Sequence, residues 1–483
     1  MLADGTTRTN SEIMQIPAEL NHALDLVRQA GGRPRLVGGC VRDWLLGIPS
    51  KDFDIEVGVL SFDELHRVLA PLGATDIVGR SFGVIKLRLS GAEYDFSLPR
   101  RESKTGAGHR GFAVSPEPTL SDAEAAARRD FTINAIAYDP FTHELIDPHG
   151  GQRDLDARVL RHTSAAFVED PLRVLRAMQF AGRFDLTLAP ETARLCASIA
   201  DSFRELPLER VWGEWDKWAT QSTRPSRGII ILRETGWLCH FPELASLRGT
   251  PQEPEWHPEG DVLDHTQHCL DALVETPGWL GSPPERRRLL TFAVLAHDFG
   301  KPQTTAYAER HGCMRWISNG HESAGGPVSE TFLQRIGSPL DLIEPVRALV
   351  VHHQLHHQGP QATYSDSQLR RLARQLIPAT IDDLCEVMEA DARGRPPITP
   401  VHSLRLVETL RTRARELQVS GQAPRPILLG RHLLAHNLKP GPQLKPILTA
   451  AFEAQLDGEF SDEAGALDWL RHHLEGEGAG VGK

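Results

Sequence analysis

Two aspartates separated by one residue, Asp52 and Asp54, begin a stretch that alternates polar and apolar side chains as far as Val59. This period predicts a half-buried β-strand, on which residues two apart share a face. Two carboxylates on one face repel each other unless a cation lies between them, and their hard oxygen atoms suit Mg²⁺. The alternative interpretation of such a pair, taken alone, is a solvated strand face.

A third carboxylate, Asp95, lies in the second of two further alternating segments, Val84–Leu89 and Glu93–Leu98. The glycine between these segments predicts a hairpin. Beside the first pair, Asp95 would bind a second ion or take the proton from an RNA 3′-hydroxyl. Glu93 shares its face of the predicted strand and is the rival for this role.

Two glycines stand between a short predicted strand, residues 35–37, and a predicted helix, in the run GGCVRD that starts at Gly38. Such a turn lets backbone N–H groups approach an anion, and the following helix N-terminus favours a phosphate. The pair Arg128-Arg129 would add cations for a triphosphate. A turn without a ligand and a solvated arginine-rich helix are the plain alternatives.

Five motifs resemble those of class II tRNA nucleotidyltransferases in this order: GGCVRD, DFD, RRDFTINA, DPHGGQRDL and EDPLRVLR. The resemblance covers about residues 35–220. It implies a polymerase-β-type nucleotidyltransferase head followed by a helical neck. It also implies template-independent addition of CCA to tRNA 3′ ends from CTP and ATP, with release of pyrophosphate.

The same resemblance implies roles for individual residues. Asp52 and Asp54 match the Mg²⁺ ligands of the family, and Asp95 matches the third carboxylate. Contacts to the incoming nucleotide are implied at the sugar and phosphates for Gly39, Arg42 and Arg129, at the base for Asp170 and Arg173, and at the phosphates for Arg176.

One position departs from the pattern of the resemblance, and one loop follows it. Some members carry an arginine where this chain has Gln179, and Arg183 is a possible substitute. Residues 101–112 (RESKTGAGHRGF) match the flexible loop that helps the family to switch from C to A addition. The Gly-, Lys- and Arg-rich composition of residues 100–118 independently predicts a mobile loop.

Histidines and aspartates at metal-ligand positions recur later, between residues 257 and 391. Imidazoles and carboxylates suit a transition metal or Mg²⁺, although a single histidine usually belongs to the core or the surface. The ordered set, with LAHDFGK at its centre, resembles the HD phosphohydrolase superfamily. The resemblance implies one divalent metal (Mg²⁺, Mn²⁺, Ni²⁺ or Co²⁺) on His265, His297, Asp298 and Asp391, a second on His321 and His352, and Lys301 near the phosphate.

The elements that must position these residues form an α+β chain with most of its helices after residue 122. We expect a nucleotidyltransferase head at 15–162, an all-α neck at 163–248, an HD domain at 257–395 and a helical tail at 400–475. The Pro- and Glu-rich residues 249–257 have the composition of a linker. The tail resembles the segment with which family members grip the tRNA elbow, recognised by shape.

Composition agrees with this organisation but does not decide the function. The net charge of −11 over 483 residues does not suggest an RNA-binding protein, yet the arginines cluster, so a basic cleft on an acidic body is compatible with it. No apolar run approaches the roughly 18 residues of a membrane span, and no secretory signal is expected. Six dispersed cysteines without a C-x-x-C motif favour a cytoplasmic protein.

Two alternatives to full CCA addition stay open at this point. A partial enzyme that adds only CC or only A, or a poly(A) polymerase, shares the motifs of the head. A rival of another class is an HD phosphohydrolase whose first domain merely binds RNA. The complete acidic set of Asp52, Asp54 and Asp95 argues against this rival, because a binding module needs no metal cluster. The oligomeric state is left open.

Overall fold

The computed structural model describes residues 13–50, 52–78, 83–104, 112–355 and 364–478. The chain forms two compact units, Met1–His240 and Phe241–Lys483. Its helices and strands make it an α+β protein, as the sequence predicted.

The strands of the first unit are β1 Arg33–Val37, β2 Asp54–Gly58, β3 Ala74–Val78, β4 Val84–Leu89, β5 Ala92–Ser97, β6 Arg100–Lys104, β7 Phe112–Pro116, β8 Ala137–Tyr138, β9 Leu145–Ile146, β10 Val159–Leu160 and β11 Thr187–Leu188. Its helices are α1 Ala18–Gln29, α2 Gly39–Leu45, α3 Phe62–Leu69, α4 Asp122–Ala127, α5 Gly151–Asp156, α6 Leu172–Phe184, α7 Pro190–Ser198, α8 Leu208–Gln221 and α9 Ser226–Glu234.

A seven-stranded mixed sheet in the order β3-β4-β5-β2-β1-β8-β9 forms the head. The predicted hairpin is confirmed as the antiparallel pair β4–β5. Strand β2 pairs parallel with β5 on one side and antiparallel with β1 on the other. It begins at Asp54, so Asp52 precedes the strand on which we predicted it.

Apolar side chains explain why the sheet and its helices assemble. Leu20 and Leu24 of α1 and Leu65 of α3 are fully buried, and α1 packs against both α3 and β1. Helix α3 starts with a capping box in which Ser61 and Glu64 satisfy each other's backbone N–H groups. These contacts fix the layer that supports β1 and β2.

The segment predicted as a mobile loop contains a two-stranded ribbon. Strands β6 and β7 are antiparallel, with Arg100 opposite Pro116. In the described part of the chain these two strands pair only with each other. Neither sequence shows the alternation of polar and apolar residues that is typical of a strand packed on a core. Residues 105–111, at the centre of the loop matched to the C-to-A switch, lie outside the described residues.

The neck is a helical layer in which α6 packs against α8 and α9. Trp218 of α8 is fully buried, and its Nε1 donates to the carbonyl of Pro225 at 3.0 Å. Gly228 of α9 permits this close approach, because a Cβ there would lie 2.6 Å from Trp218 Nε1. The prediction of an all-α neck needs one small correction, since β11 pairs parallel with β10.

The second unit is mostly helical. Its helices are α10 Pro242–Ala245, α11 Val262–Val274, α12 Pro277–Leu280, α13 Pro284–Ala296, α14 Lys301–Thr304, α15 His321–Arg335, α16 Leu340–His352, α17 Asp366–Gln375, α18 Ile381–Arg393, α19 Val401–Glu416, α20 Gly430–Ala435, α21 Leu444–Asp457 and α22 Glu463–Gly478. An antiparallel hairpin, β12 Ala306–Arg310 and β13 Cys313–Ile317, interrupts the region predicted to be all helical.

Helices α11, α13, α16 and α18 pack together and form the core of this unit. The predicted small core of the tail is present around Leu433 and Ile447, whereas Leu434 is largely exposed. Among the described residues, no helix is both long and apolar enough to cross a membrane.

Candidate functional site

Three carboxylates gather at the start of β2. Asp54 and Asp95 are direct register partners in the parallel pair β2–β5, and Asp52 lies two residues before Asp54. Desolvation raises the pKa of Asp54, Arg129 opposes this shift, and the charges of Asp95 and Asp52 add to it. Crowded carboxylates of this kind form a site for a cation.

The turn before α2 lies beside both the guanidinium of Arg129 and the carboxylate of Asp54. Gly38 has φ 75°, which favours glycine, and a Cβ there would lie 3.0 Å from Arg129 Nη1 and 3.5 Å from Asp54 Oδ2. A Cβ on the next residue, Gly39, would lie 3.6 Å from Arg42 Nη2. Both glycines therefore leave the space beside the acidic cluster open.

Lys86 of β4 separates the two rivals for the third carboxylate. Its Nζ lies 2.5 Å from Glu93 Oε1 and 3.3 Å from Asp95 Oδ1. Glu93 is held by a second cation as well, Arg88, whose Nε is 3.1 Å from its Oε2. This arrangement favours Asp95 as the functional carboxylate, because it adjoins Asp54 while Glu93 is neutralised by two cations.

Arg42 is buried and fully engaged within the head. Its Nη1 donates to Asn134 Oδ1 at 2.5 Å and its Nη2 to Asp43 Oδ1 at 2.6 Å. The guanidinium also lies 4.5 Å from the ring centroid of Phe184. The second oxygen of Asp43 faces Arg183 at 3.6 Å, so both arginines meet one carboxylate.

Arg176 lies over a buried acid of the RRDFTINA motif. Its Nε donates to Asp130 Oδ2 at 2.7 Å. Burial alone would raise the pKa of Asp130, but Arg176 and Asn134 outweigh it and the pKa is lowered. Gln179, one helical turn further on, is buried, and its Nε2 has no hydrogen-bond partner among the described residues.

The motif EDPLR does not place Asp170 and Arg173, whose base contacts the resemblance implied, side by side on a helix. Helix α6 begins only at Leu172, and Asp170 Oδ1 accepts its N–H at 3.1 Å. Asp170 Oδ2 instead pairs with Arg210 of α8 at 2.8 Å. Arg173 donates to the carbonyls of Ala166 and Arg128, each at 2.8 Å. Sequence reasoning missed Arg210, which no motif marked.

The second unit contains a buried group of possible metal ligands on α11, at the C-cap of α13 and on α18. It comprises His265, Cys269, His297 and Asp391, whose ligand atoms all lie within 4.8 Å of one another. His265 Nε2 is 3.1 Å from Asp391 Oδ1. Cys269 was not among the predicted ligands, because a lone cysteine one turn after a histidine carries no motif.

Asp298 joins this group to a second one. Its Oδ2 lies 3.2 Å from His297 Nε2, and its Oδ1 lies 3.3 Å from His321 Nε2. The second group is completed by His353, whose Nε2 is 3.3 Å from that of His321. The structure therefore corrects the choice of His352: α16 ends at that residue, and the next one turns into the cluster.

A third acid, Glu259, lies just after residues 249–257, which we predicted to be a linker. Glu259 accepts from Nδ1 of both His257 and His265, each at 2.8 Å. Burial raises the pKa of Glu259, but these two hydrogen bonds outweigh it and lower the pKa to about 2. The carboxylate thereby fixes Nδ1 of His265 and leaves Nε2 to face the cluster.

A cavity of about 700 Å³ opens beside these groups, with His321, Lys301 and Arg395 in its wall. Lys301 Nζ lies 2.7 Å from Asp298 Oδ2, and Arg395 Nη2 lies 2.7 Å from Asp391 Oδ1. Two cations at the rim of an acidic cluster suit an anionic substrate. The segment predicted as a linker supplies Gln252 and His257 to the same wall.

The donors fit a divalent metal ion. His297 Nε2 and Asp391 Oδ2 are buried and have no hydrogen-bond partner among the described residues. Buried polar atoms without a partner are costly unless something else satisfies them. Imidazole, carboxylate and thiol donors together match the ligands of a transition metal.

Comparison with known proteins agrees with the geometry of the head. Residues 34–161 match the family described as "Poly A polymerase head domain", and residues 185–247 match "Probable RNA and SrmB- binding site of polymerase A". The fold is also that of the Bacillus stearothermophilus CCA-adding enzyme in complex with CTP, with 20% identity, a TM-score of 0.64, and coverage of 96% of this chain and 100% of that one. The Thermotoga maritima CCA-adding enzyme complexed with tRNA gives 20% identity, a TM-score of 0.58, and coverage of 96% and 97%.

Relatives at higher identity cover most of the chain. The multifunctional CCA protein of Cupriavidus metallidurans is 38% identical over 374 residues, which are 74% of this chain and 84% of that protein. The multifunctional CCA protein of Xanthomonas campestris pv. campestris is 39% identical over 372 residues, 74% and 85% respectively. With this identity over most of both chains, and with three carboxylates gathered in a head of matching fold, this chain belongs to the multifunctional CCA protein family.

Proposed function

We propose that this chain adds CCA to tRNA 3′ ends from CTP and ATP without a template and releases pyrophosphate. The observation that carries the proposal is the register pairing of Asp54 with Asp95, beside Asp52, in a member of the CCA protein family. The pairing supports a nucleotidyl-transfer site because the reaction needs carboxylates that would hold metal ions at the triphosphate and at the attacking hydroxyl. Names of the relatives support the CCA specificity over a CC-only, A-only or poly(A) product.

In this proposal Asp52 and Asp54 hold Mg²⁺, which supplies charge stabilisation for the triphosphate and the attacking 3′-oxygen when bound. Asp95 accepts the proton of the 3′-hydroxyl or binds a second ion. Arg129 faces the same carboxylates across Gly38 and stands where it can meet the phosphates. Arg42 and Arg176 hold Asp43 and Asp130, so they support the nucleotide pocket through buried pairs.

Base selection is proposed to rest on Asp170. Its carboxylate offers acceptors to the exocyclic amino group that cytosine and adenine share, whereas uracil and guanine present a carbonyl there. Arg210 Nη2 donates to Asp170 Oδ2 at 2.8 Å. Arg210, and not Arg173, is therefore the arginine that pairs with Asp170. Arg173 holds the backbone at Ala166, before α6, and at Arg128, at the end of α4, through their carbonyls.

The decisive experiment sequences the 3′ ends made from tRNA lacking CCA with CTP and ATP both present. Ends that finish in CCA support the proposal. Ends that stop at CC, gain only A, or grow into poly(A) replace it with the corresponding partial enzyme or polymerase. The absence of any incorporation would favour the rival in which the head only binds RNA.

A second function is proposed for the second unit: metal-dependent hydrolysis of a phosphoester, as in HD domains. It is favoured by the two donor groups that meet at Asp298, beside a cavity with Lys301 and Arg395 in its wall. A divalent metal (Mg²⁺, Mn²⁺, Ni²⁺ or Co²⁺) on these donors would supply an activated water. Lys301 and Arg395 bind the phosphate, and Glu259 orients His265.

The test offers 2′,3′-cyclic nucleotides and nucleoside 2′-phosphates to the intact protein with each of these metals in turn. Release of phosphate or opening of the cyclic ester, lost in Asp298→Ala, supports the proposal. If the unmodified protein hydrolyses none of them, the unit has no such activity. The domain limits 15–162, 163–248, 257–395 and 400–475, tRNA contact by the tail and a cytoplasmic location remain predictions.

A further inference from the structure

Cys269 lies one helical turn after His265 on α11 and projects from the same face of that helix. Its side chain is fully buried, and its Sγ lies 3.3 Å from His265 Nε2. That nitrogen is the one that faces Asp391, because Glu259 occupies the other. The sulfur atom therefore adjoins the ligand atoms of the first metal group and does not merely pack beside the histidine ring.

The separation matches two ligands on one ion. With a metal–nitrogen bond near 2.1 Å and a metal–sulfur bond near 2.3 Å, tetrahedral ligands lie about 3.6 Å apart. The second observation is independent of the cysteine: His297 Nε2 and Asp391 Oδ2 are buried without hydrogen-bond partners among the described residues. These two residues, at the C-cap of α13 and on α18, belong to the same group of possible metal ligands as Cys269.

The other buried cysteines have no such surroundings. Cys385 of α18 is equally buried, and its Sγ reaches the carbonyl of Val407 at 4.0 Å. Within the described residues it belongs to no group of possible metal ligands, and the same holds for Cys40 and Cys196. Burial of a thiol in an apolar core is common, so the position of Cys269 among imidazoles and carboxylates distinguishes it.

We propose that the thiolate of Cys269 is a ligand of the metal ion held by His265, His297 and Asp391. The inference rests on the proposed phosphohydrolase site and joins a thiolate to three of the four donors implied by the HD resemblance. On binding, the thiol releases its proton to solvent and the sulfur takes its place on the metal. Because thiolate is a soft ligand, the site prefers Zn²⁺ or Co²⁺ to Mg²⁺ and Mn²⁺.

The first experiment uses the full chain, stripped of metal by a chelator and titrated with Co²⁺. A thiolate–cobalt bond gives a near-ultraviolet charge-transfer band in addition to the visible bands of the ion. The band is expected in the wild type and in Cys385→Ser, and it should be lost in Cys269→Ser while stoichiometric binding persists. A wild type that binds Co²⁺ without the band, or a Cys269→Ser variant that retains it, overturns the assignment.

A second measurement compares the affinity for Zn²⁺ with that for Mn²⁺ by competition. Cys269→Ser and Cys269→Ala should weaken Zn²⁺ binding by more than about tenfold, the scale of losing even an outer-shell partner, and should change Mn²⁺ binding much less. Equal losses for both ions overturn the inference. Metal binding and hydrolysis without a sulfur signal would sink this inference alone, whereas failure to bind any metal would sink the phosphohydrolase proposal with it.

Discussion

At the scale of single residues, one cation that contacts the acidic cluster of the head is Lys86 of the protein itself. The Nζ of Lys86 lies 2.5 Å from Glu93 Oε1 and 3.3 Å from Asp95 Oδ1. Glu93 thereby draws the ammonium group away from the carboxylate that a metal ion needs. We therefore propose different tasks for these two residues of β5: Asp95 faces the reacting groups and Glu93 restrains Lys86.

We expect Glu93→Gln to raise the Mg²⁺ concentration for half-maximal nucleotide addition about three- to fivefold, the effect of one partly exposed ion pair. The neutral amide no longer holds Lys86, which then competes with the metal for Asp95. Mg²⁺ titrations of CTP incorporation measure this shift. The double variant Lys86→Met with Glu93→Gln should return to the wild-type requirement, and an unchanged requirement in Glu93→Gln alone would contradict the argument.

The role of Asp170 gives a second prediction at this scale. Asp170→Ala should lower discrimination against UTP and GTP by roughly tenfold or more, the scale of 1–3 kcal/mol for one polar contact. The same change removes the acceptor of the Leu172 N–H at the start of α6, so Asp170→Asn is the matched control: asparagine keeps a side-chain acceptor but lacks the carboxylate. Rates are measured for each of the four nucleotides, and equal losses for all four in both variants would show a purely structural role.

Individual ligands were predictable only where their chain neighbours fixed the direction of the side chain. The alternation around Asp54 and Asp95 identified both strands. By contrast, a shift of one residue along a helix turns a side chain by about 100°, and this separates His353 from His352. Glu259 was missed because no motif marks it, just after the Pro- and Glu-rich residues 249–257.

At the scale of elements, the neck depends on how closely α9 approaches α8. A Cβ on Gly228 would lie 2.6 Å from Trp218 Nε1 and 2.8 Å from the carbonyl of Met178. A Cβ on Gly213, in the middle of α8, would meet nothing within 4 Å. The packing therefore leaves no room for a side chain at Gly228 but leaves room for one at Gly213, although both glycines lie in the same helical layer.

Gly228→Ala is expected to destabilise the first unit by about 1–3 kcal/mol, since the packed indole cannot retreat. Gly213→Ala should be neutral or should stabilise by up to about 1 kcal/mol, because alanine is the better helix former. Denaturant unfolding followed by tryptophan fluorescence distinguishes the two variants. Similar midpoints for both would show that the neck is looser than the contacts around Trp218 indicate.

Strands with one face on the core were predictable from the sequence, whereas hairpins whose two strands pair only with each other were not. The hairpin β4–β5 was visible in the sequence because Ile85, Leu87 and Phe96 are fully buried and alternate with more exposed side chains. Strands β6 and β7 pair only with each other among the described residues, so no alternation marked them. The hairpin β12–β13 was missed for a similar reason: it is mostly exposed.

At the scale of the whole molecule, each of the two compact units contains one candidate site. The carboxylates of the head lie in Met1–His240, and the His- and Asp-rich groups lie in Phe241–Lys483. Residues that share no partners have effects that add independently. The two proposed activities should therefore be lost separately.

His297→Ala is expected to abolish phosphoester hydrolysis while CCA addition continues at close to the wild-type rate. Asp54→Ala should do the reverse and reduce nucleotide addition to less than about a tenth, because loss of a metal ligand raises the barrier by several kcal/mol. Both activities are assayed on each purified variant. Loss of both in either variant would mean that the sites depend on each other.

The parallel pairing of β2 with β5 also sets when the catalytic centre can exist. Asp54 and Asp95 are neighbours in the sheet although the chain between them forms α3, β3 and β4. A parallel pair needs such a crossover, and contacts of this separation form late. During synthesis on the ribosome, Asp52 and Asp54 therefore emerge well before Asp95. An unfinished chain that ends before β5 lacks the complete set of three carboxylates and has no complete metal site with which to react with nucleotides.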